Sequence, residues 1–315
     1  METVTCSASP SLALVKYWGK KRNGLPATSS LAITLGGLET TTTVSLAEKD
    51  SVNINGMEQE VSHFTPFLDR VRSIVHRDIG FDISSQNTFP TAAGLASSSS
   101  GFAAMACGCT RAAGQVLTDK QLSELARAGS SSAARSIFGG FVFLPAGSSH
   151  ARRLFGPEYW PDLTILIAVV EEKAKSISSR EAMNLSRNTS PFYKAWVGSS
   201  RGLVKEAVTA LEHRDLEVLG EAARASYMRM HAAMMAATPP IRYWKPASLA
   251  VQDVCAQLRS QGTGAWETMD AGAQVKILCA STDAAKIRNA LEEQLPQVSV
   301  LESFPGEGVR CSNGS

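Results

Sequence analysis

The chain has 315 residues, enough for two domains at roughly one per 150, and its 44% hydrophobic and 19% charged residues exclude the low-hydrophobicity, high-charge signature of disorder. Lys+Arg 31 against Asp+Glu 29 leaves a net charge of +2, too small an excess for a dedicated nucleic-acid binder. The start, Met1–Cys6, carries no basic and apolar leader, and the longest apolar run, Leu163–Val170, falls far short of the ~20 residues of a bilayer span. No membrane partner is therefore expected, and the chain reads as cytoplasmic. The six cysteines are scattered without a CxxC, in keeping with a reducing setting, and the five histidines stand apart from them, so no structural metal site is expected.

In chain order, Thr40–Ala47 alternates β-branched residues and predicts a strand, whereas Phe64, Phe67, Leu68, Val71, Ile74 and Val75 have helical spacing. Ser98–Ala113 reads as a small-residue helix, and Thr118-Asp-Lys-Gln121 as the capping box of another that ends near Gly129. Strands are predicted at Phe141–Leu144 and Leu163–Val170. From about Lys173 helical patterns dominate: Ser190–Leu211, Asp215–Met235 and Pro246–Gln261, then short strands flanking Asp270 and a helix over Asp283–Gln294. Strands and helices mixed without regular βαβ alternation predict an α+β fold, divided into residues 1–172 and 173–315.

The segment Phe89–Gly101 (FPTAAGLASSSSG) runs a small-residue loop directly into a helical pattern. Glycine permits close approach, the first helical N–H groups are unpaired and the dipole there is positive, which suits a polyphosphate. The same string also suits a glycine turn ahead of a tightly packed Ala/Ser helix. Neither a Walker GxxxxGK[ST] nor a G-x-S-x-G elbow is present. Three further strings accompany the loop: Val15–Lys20 (VKYWGK), Gly129–Arg135 (GSSSAAR) and Thr268–Ala273 (TMDAGA). Taken alone, Asp270 before Ala-Gly is also good turn-capping chemistry. Lys20 beside Lys21 and Arg22, and Arg180 near Lys173, Lys175 and Glu181, also suit solvated surface runs. His231, among methionines and alanines, reads as a packing residue, as does Trp18.

Together these strings resemble the GHMP kinase superfamily, and within it the diphosphomevalonate decarboxylases, over nearly the whole chain. Supporting pieces are Pro26–Ser30, Thr40–Thr43, Ser178–Arg180, Asn188–Tyr193 and Thr238–Pro240. The resemblance implies a GHMP kinase fold: an amino-terminal domain like that of a ribosomal protein, a ferredoxin-like carboxy-terminal domain, and an active site in the cleft between them. It implies ATP-dependent decarboxylation of mevalonate 5-diphosphate to isopentenyl diphosphate, with Mg²⁺ accompanying ATP, in a homodimer. The alternative within the superfamily is a small-molecule kinase that phosphorylates without decarboxylating.

Carried over residue by residue, the resemblance makes Asp270 the group that orients or deprotonates the C3 hydroxyl, Arg135 the fork on the substrate carboxylate, and Lys16 a stabiliser of phosphate charge. Tyr17, Lys20, Ser132, Ser179 and Arg180 would hold the substrate. Pro90, Ala93, Gly94, Leu95, Ala96, Ser97 and Ser98 would hold the nucleotide, and no dedicated metal cage is implied. The chain departs from the family pattern in four places. Ser11 stands where an asparagine is usual, Gly129-Ser-Ser-Ser132 replaces Gly-Ser-Gly-Ser, Ala273-Gln274 replaces Pro-Asn after Asp-Ala-Gly, and Gly306-Glu307-Gly308 replaces Gly-Pro-Gly.

Overall fold

Alternation at Val4–Ala8 buries valine, cysteine and alanine and leaves threonine and serine half-exposed, which makes this segment a strand with one face on a core. The computed structural model describes residues 3–89, 97–171 and 177–313. Along the chain run β1 (Val4–Ala8), β2 (Ser11–Val15), β3 (Ser30–Thr34), β4 (Thr40–Ala47), β5 (Ser51–Ile54), β6 (Met57–Glu58), α1 (Thr65–Val75), β7 (Gly80–Asn87), α2 (Ser97–Ala112), α3 (Asp119–Gly129), the single turn α4 (Ala133–Ser136), β8 (Phe141–Leu144), β9 (Arg152–Phe155) and β10 (Leu163–Val169). There follow α5 (Ser179–Thr189), α6 (Tyr193–His213), α7 (Leu216–Met235), α8 (Pro246–Ser260), β11 (Trp266–Met269), β12 (Val275–Ala280), α9 (Ser281–Gln294), β13 (Ser299–Ser303) and β14 (Arg310–Asn313).

The described residues form three sheets. The first has the order β14-β1-β4-β7-β5-β6 and carries a core in which Val44, Phe81 and Ile83 meet Phe67, Leu68 and the alanine face of α2. The second, β2-β3-β8-β9, shares a core with α6, α7 and β10, so it joins the two halves of the chain. The third, β11-β12-β10-β13, is antiparallel throughout and packs against α8 and α9. The fold is thus α+β, as the absence of βαβ alternation predicted. The boundary expected between residues 172 and 173 lies outside the described residues.

Several elements differ from expectation. The helix predicted from Ser190 begins at Tyr193, after a turn at Pro191 and Phe192 that the Tyr193 N–H closes on the Ser190 carbonyl at 3.3 Å. Ahead of it stands α5, opened by a reciprocal capping box between Ser178 and Glu181; the S-x-x-E string was its sequence signal. The last strand, β14, crosses back to pair with β1 in the first sheet. There Cys6 is joined to Cys311 by a disulfide, and the Cys107 Sγ lies 3.1 Å from the Cys311 Sγ. Scattered in sequence, these three cysteines converge in space, with their sulfurs within 4.8 Å of one another. No helix among the described residues is long and apolar enough to cross a membrane.

Candidate active site

Strand β2 is buried at every residue and delivers Lys16 at its end into the seam between the halves. The Lys16 backbone N–H donates to Ser226 Oγ on α7 at 2.8 Å. Its ammonium donates to the Ala13 carbonyl at 2.6 Å and to Asp270 Oδ1 at 2.8 Å. Asp270 occupies the turn between β11 and β12, where its carbonyl accepts from the Gly272 N–H at 2.9 Å. The carboxylate itself meets lysines: besides Lys16, the Lys276 Nζ lies 3.6 Å from Oδ2. Burial favours the neutral acid, but Lys16 and then Lys276 overcome it and hold Asp270 well below the usual carboxylate range. Lys16, only 1% exposed, is pushed down to about 8 by burial, against the pull of Asp270.

Arg135 enters from α4, buried to 3% exposure, and donates from Nη1 to Ser30 Oγ at 2.8 Å. Its Nε is buried without a partner, so part of the guanidinium fork is unspent. Burial lowers Arg135 to about 10, opposed by Asp270, and it stays charged at neutral pH. A row of hydroxyls links the starts of α2 and α4: Ser98 Oγ is 3.5 Å from Ser130 Oγ, which is 3.0 Å from Ser132 Oγ. These groups, with Ser11, Tyr17 and Ser179, line one cavity. A second cavity adjoins Ser97 and Ser98 and is walled by Ile54, Phe64, Phe102 and Met105, with Ser85 and Asn87 at its polar side.

The structure therefore brings Lys16, Tyr17, Arg135, Asp270, Ser98, Ser132 and Ser179 together. Lys20 and Arg180 stand outside the residues that line this cavity. Lys20 forms an isolated bridge with Pro26, and its ammonium is lowered by burial first and by Arg180 and Arg127 next. Arg180 is exposed and donates to the Gly129 carbonyl at 3.4 Å. Gly19 between Trp18 and Lys20 has φ of +100°, and a Cβ there would lie 1.9 Å from the Tyr193 hydroxyl, so this turn requires glycine. Of the expected nucleotide residues, Pro90, Ala93, Gly94, Leu95 and Ala96 lie outside the described residues. Ser97 and Ser98 open α2.

Each departure from the family pattern has a local setting. Ser131, in the Gly129–Ser132 string, is buried at the cavity wall. Ser11 is 3% exposed, and its Oγ is buried without a partner at the cavity wall. Gln274 accepts the Val170 N–H at 2.6 Å and donates to the Glu171 carbonyl, tying the turn that carries Asp270 to the end of β10. Gly306 and Gly308 approach other backbone so closely that a Cβ would lie 2.5 Å from Gly36 N and from Ile137 O respectively. Glu307 between them is exposed, so the middle residue is the one free to vary.

Two residues have roles that sequence reasoning missed. His231 is packed, as expected, against Tyr227 and Trp244, but its Nε2–H also donates to the Asp270 carbonyl at 3.1 Å. Burial and the Lys16 charge push it down to about 3, so it is a neutral brace. Lys276 sits in the apolar string Val275–Ala280, and that lone charge in a buried strand was the only signal.

A buried aspartate between two lysines, an arginine with unspent donors and a row of hydroxyls at a helix start form a site for a multiply anionic substrate. Two family models match the chain: the diphosphomevalonate decarboxylase-like N-terminal domain over residues 8–154 and the mevalonate 5-diphosphate decarboxylase C-terminal domain over residues 165–312. The diphosphomevalonate decarboxylase of Bos taurus is 31% identical, with 98% of this chain and 86% of that protein covered. The mevalonate diphosphate decarboxylase of Staphylococcus aureus superposes with a TM-score of 0.93 at 34% identity, over 99% of this chain and 98% of that one. A structure described as MDDEF in complex with MVAPP, AMPPCP and magnesium gives 0.93 at 35%, over 99% of both chains. With both halves matched and the charged cluster assembled at their seam, the chain belongs to the diphosphomevalonate decarboxylase family.

Proposed function

We propose that the chain catalyses the ATP-dependent decarboxylation of mevalonate 5-diphosphate to isopentenyl diphosphate, releasing ADP, phosphate and CO2. The observation that carries this reading is the cluster of Lys16, Asp270 and Arg135, joined by the 2.8 Å Lys16–Asp270 contact at the wall of a cavity that reaches the start of α2. A tertiary alcohol is a poor leaving group; phosphorylation at C3 makes it a good one, and loss of the neighbouring carboxylate as CO2 then forms the alkene. Positioning and charge compensation are the protein's contribution.

In this reading Asp270 accepts the C3 hydroxyl hydrogen bond and aims its oxygen at the γ-phosphate. Arg135 grips the carboxylate with the donors left over from Ser30. Lys16, at about 8, is charged at neutral pH and offsets the charge of the transferring phosphate. Tyr17, Ser132 and Ser179 face the substrate, with Lys20 and Arg180 beyond them toward its diphosphate. The hydroxyls of Ser97 and Ser98 are hard oxygen donors, so the residues present fit Mg²⁺ shared with phosphate oxygens. Bound there, the ion would neutralise phosphate charge. The apolar cavity beside α2 suits a flat purine, and the sequence assigns the phosphates to Pro90, Ala93, Gly94, Leu95 and Ala96. The same reading includes the homodimer, which sedimentation equilibrium would report as twice the chain mass.

The test is to incubate the protein with ATP, Mg²⁺ and mevalonate 5-diphosphate and to measure CO2 and ADP together. Equal amounts support the decarboxylase. ADP without CO2 would show a kinase instead.

A further inference from the structure

Lys276 belongs to β12, the strand whose remaining residues from Val275 to Cys279 pack into apolar cores. It is 2% exposed and does not line the cavity, so it stands behind Asp270. A buried ammonium is costly unless it faces an opposite charge, and here that charge is Asp270 Oδ2 at 3.6 Å. The other carboxylate oxygen takes Lys16 at 2.8 Å. Two lysines from different halves of the fold thus hold the two oxygens of one aspartate.

We propose that Lys276 is a positioning residue for the reaction: through Asp270 Oδ2 it fixes the plane of the carboxylate, whose charge it shares with Lys16. The charged and titratable groups facing Lys16 are Asp270 from the β11–β12 turn, Lys276 from β12, Arg135 from α4 and His231 from α7. Among them, Asp270 raises its basicity, while Lys276 and Arg135 lower it. Removing Lys276 removes a repulsion and leaves Asp270 undivided. Lys16 then binds its proton more tightly, and the carboxylate turns more freely.

This inference rests on the decarboxylase reading for its kinetic test. Lys276→Met should lower kcat at pH 7 about tenfold or more, while KM for ATP changes less than about threefold. The alkaline limb of the kcat–pH profile, set in the wild type by Lys16 near 8, should move up by at least about half a unit. Lys276→Arg, which restores the charge, should return the limb toward the wild-type position. A merely structural lysine would leave the limb in place whatever its effect on kcat. If the methionine variant does not fold, Lys276→Gln is read by the same criteria.

A measurement independent of activity separates this inference from the reading it rests on. Because the folded Lys16 lies below its ordinary value of 10.5, the unfolded chain binds more protons between those limits and stability rises with pH across that window. Raising Lys16 narrows the window, so the melting temperature of the variant minus that of the wild type should fall between pH 7 and 10. A wild type that releases no CO2 overturns the decarboxylase reading alone. An unmoved limb together with a pH-independent melting difference overturns the role of Lys276.

Discussion

Replacing Asp270 by asparagine keeps the size of the side chain and removes one charge from the centre of the site. At 2.8 Å and an effective dielectric of about 20, the attraction lost between Asp270 and Lys16 is about 6 kcal/mol, equivalent to about four pKa units. Lys16 starts at about 8, so at pH 7 it sheds its proton rather than remain buried and uncompensated. That route limits the destabilisation, since neutralising a group one unit above ambient pH costs about 1.4 kcal/mol. A drop in melting temperature of several degrees follows, and the chain stays folded. Catalysis fares far worse, because the same substitution discards the carboxylate charge that biases the C3 hydroxyl toward attack and, through Lys16, the cation that faces phosphate. We expect kcat to fall by about 10²–10⁴-fold or more, measured as coupled ADP and CO2 release at saturating ATP. A variant that melts within a few degrees of wild type and keeps more than about a tenth of its kcat would refute the assignment of Asp270.

Other perturbations address the surrounding groups. Arg135→Lys should cost about 2–4 kcal/mol of transition-state stabilisation, because an ammonium cannot bond a carboxylate in two parallel contacts and also keep Ser30; an unchanged kcat/KM in a folded variant removes Arg135 from the site. Ser98→Ala should weaken nucleotide affinity by calorimetry more than affinity for mevalonate 5-diphosphate, and equal losses for both would count against a nucleotide role. Ser11→Ala deletes a buried hydroxyl that has no partner, so it should leave the melting temperature unchanged or raise it, corresponding to up to about 1 kcal/mol, while KM for the substrate rises; a clear loss of stability would show that the hydroxyl is structural. Chelation of Mg²⁺ should abolish turnover without altering the melting curve, as expected of an ion that arrives with ATP; a large fall in melting temperature would reveal a structural metal.

What the sequence disclosed depended on how local each feature was. Thr118 and Gln121 form the capping box that their spacing predicts, and Phe141–Leu144 is a strand with the expected limits, because three-residue periodicities and short apolar runs are written into adjacent residues. Lys16, Arg135 and Asp270 were found through strings of family type, and the structure brings them together across 254 residues between Lys16 and Asp270. Lys276 was hidden because a lone lysine in a strand usually marks a solvent face, and only the third sheet shows that this one points inward. His231 gave no sign of its bond, since its partner is a carbonyl that any residue carries. The Cys6–Cys311 pair spans 305 residues, and no spacing rule reaches that far.

The pairing of β14 with β1 also has a meaning in time. During synthesis at about 5–20 residues per second, β1 emerges first and waits tens of seconds for the strand that covers its free edge. Throughout that interval the nascent first sheet presents an unpaired row of amides and carbonyls, the kind of edge on which strands from other chains add. Completion therefore waits for Arg310–Asn313, after the intervening half that folds around the third sheet. A ribosome stalled or a message truncated before Arg310 leaves the amino-terminal sheet open at that edge, and such fragments should associate or be degraded rather than accumulate as a stable half-enzyme.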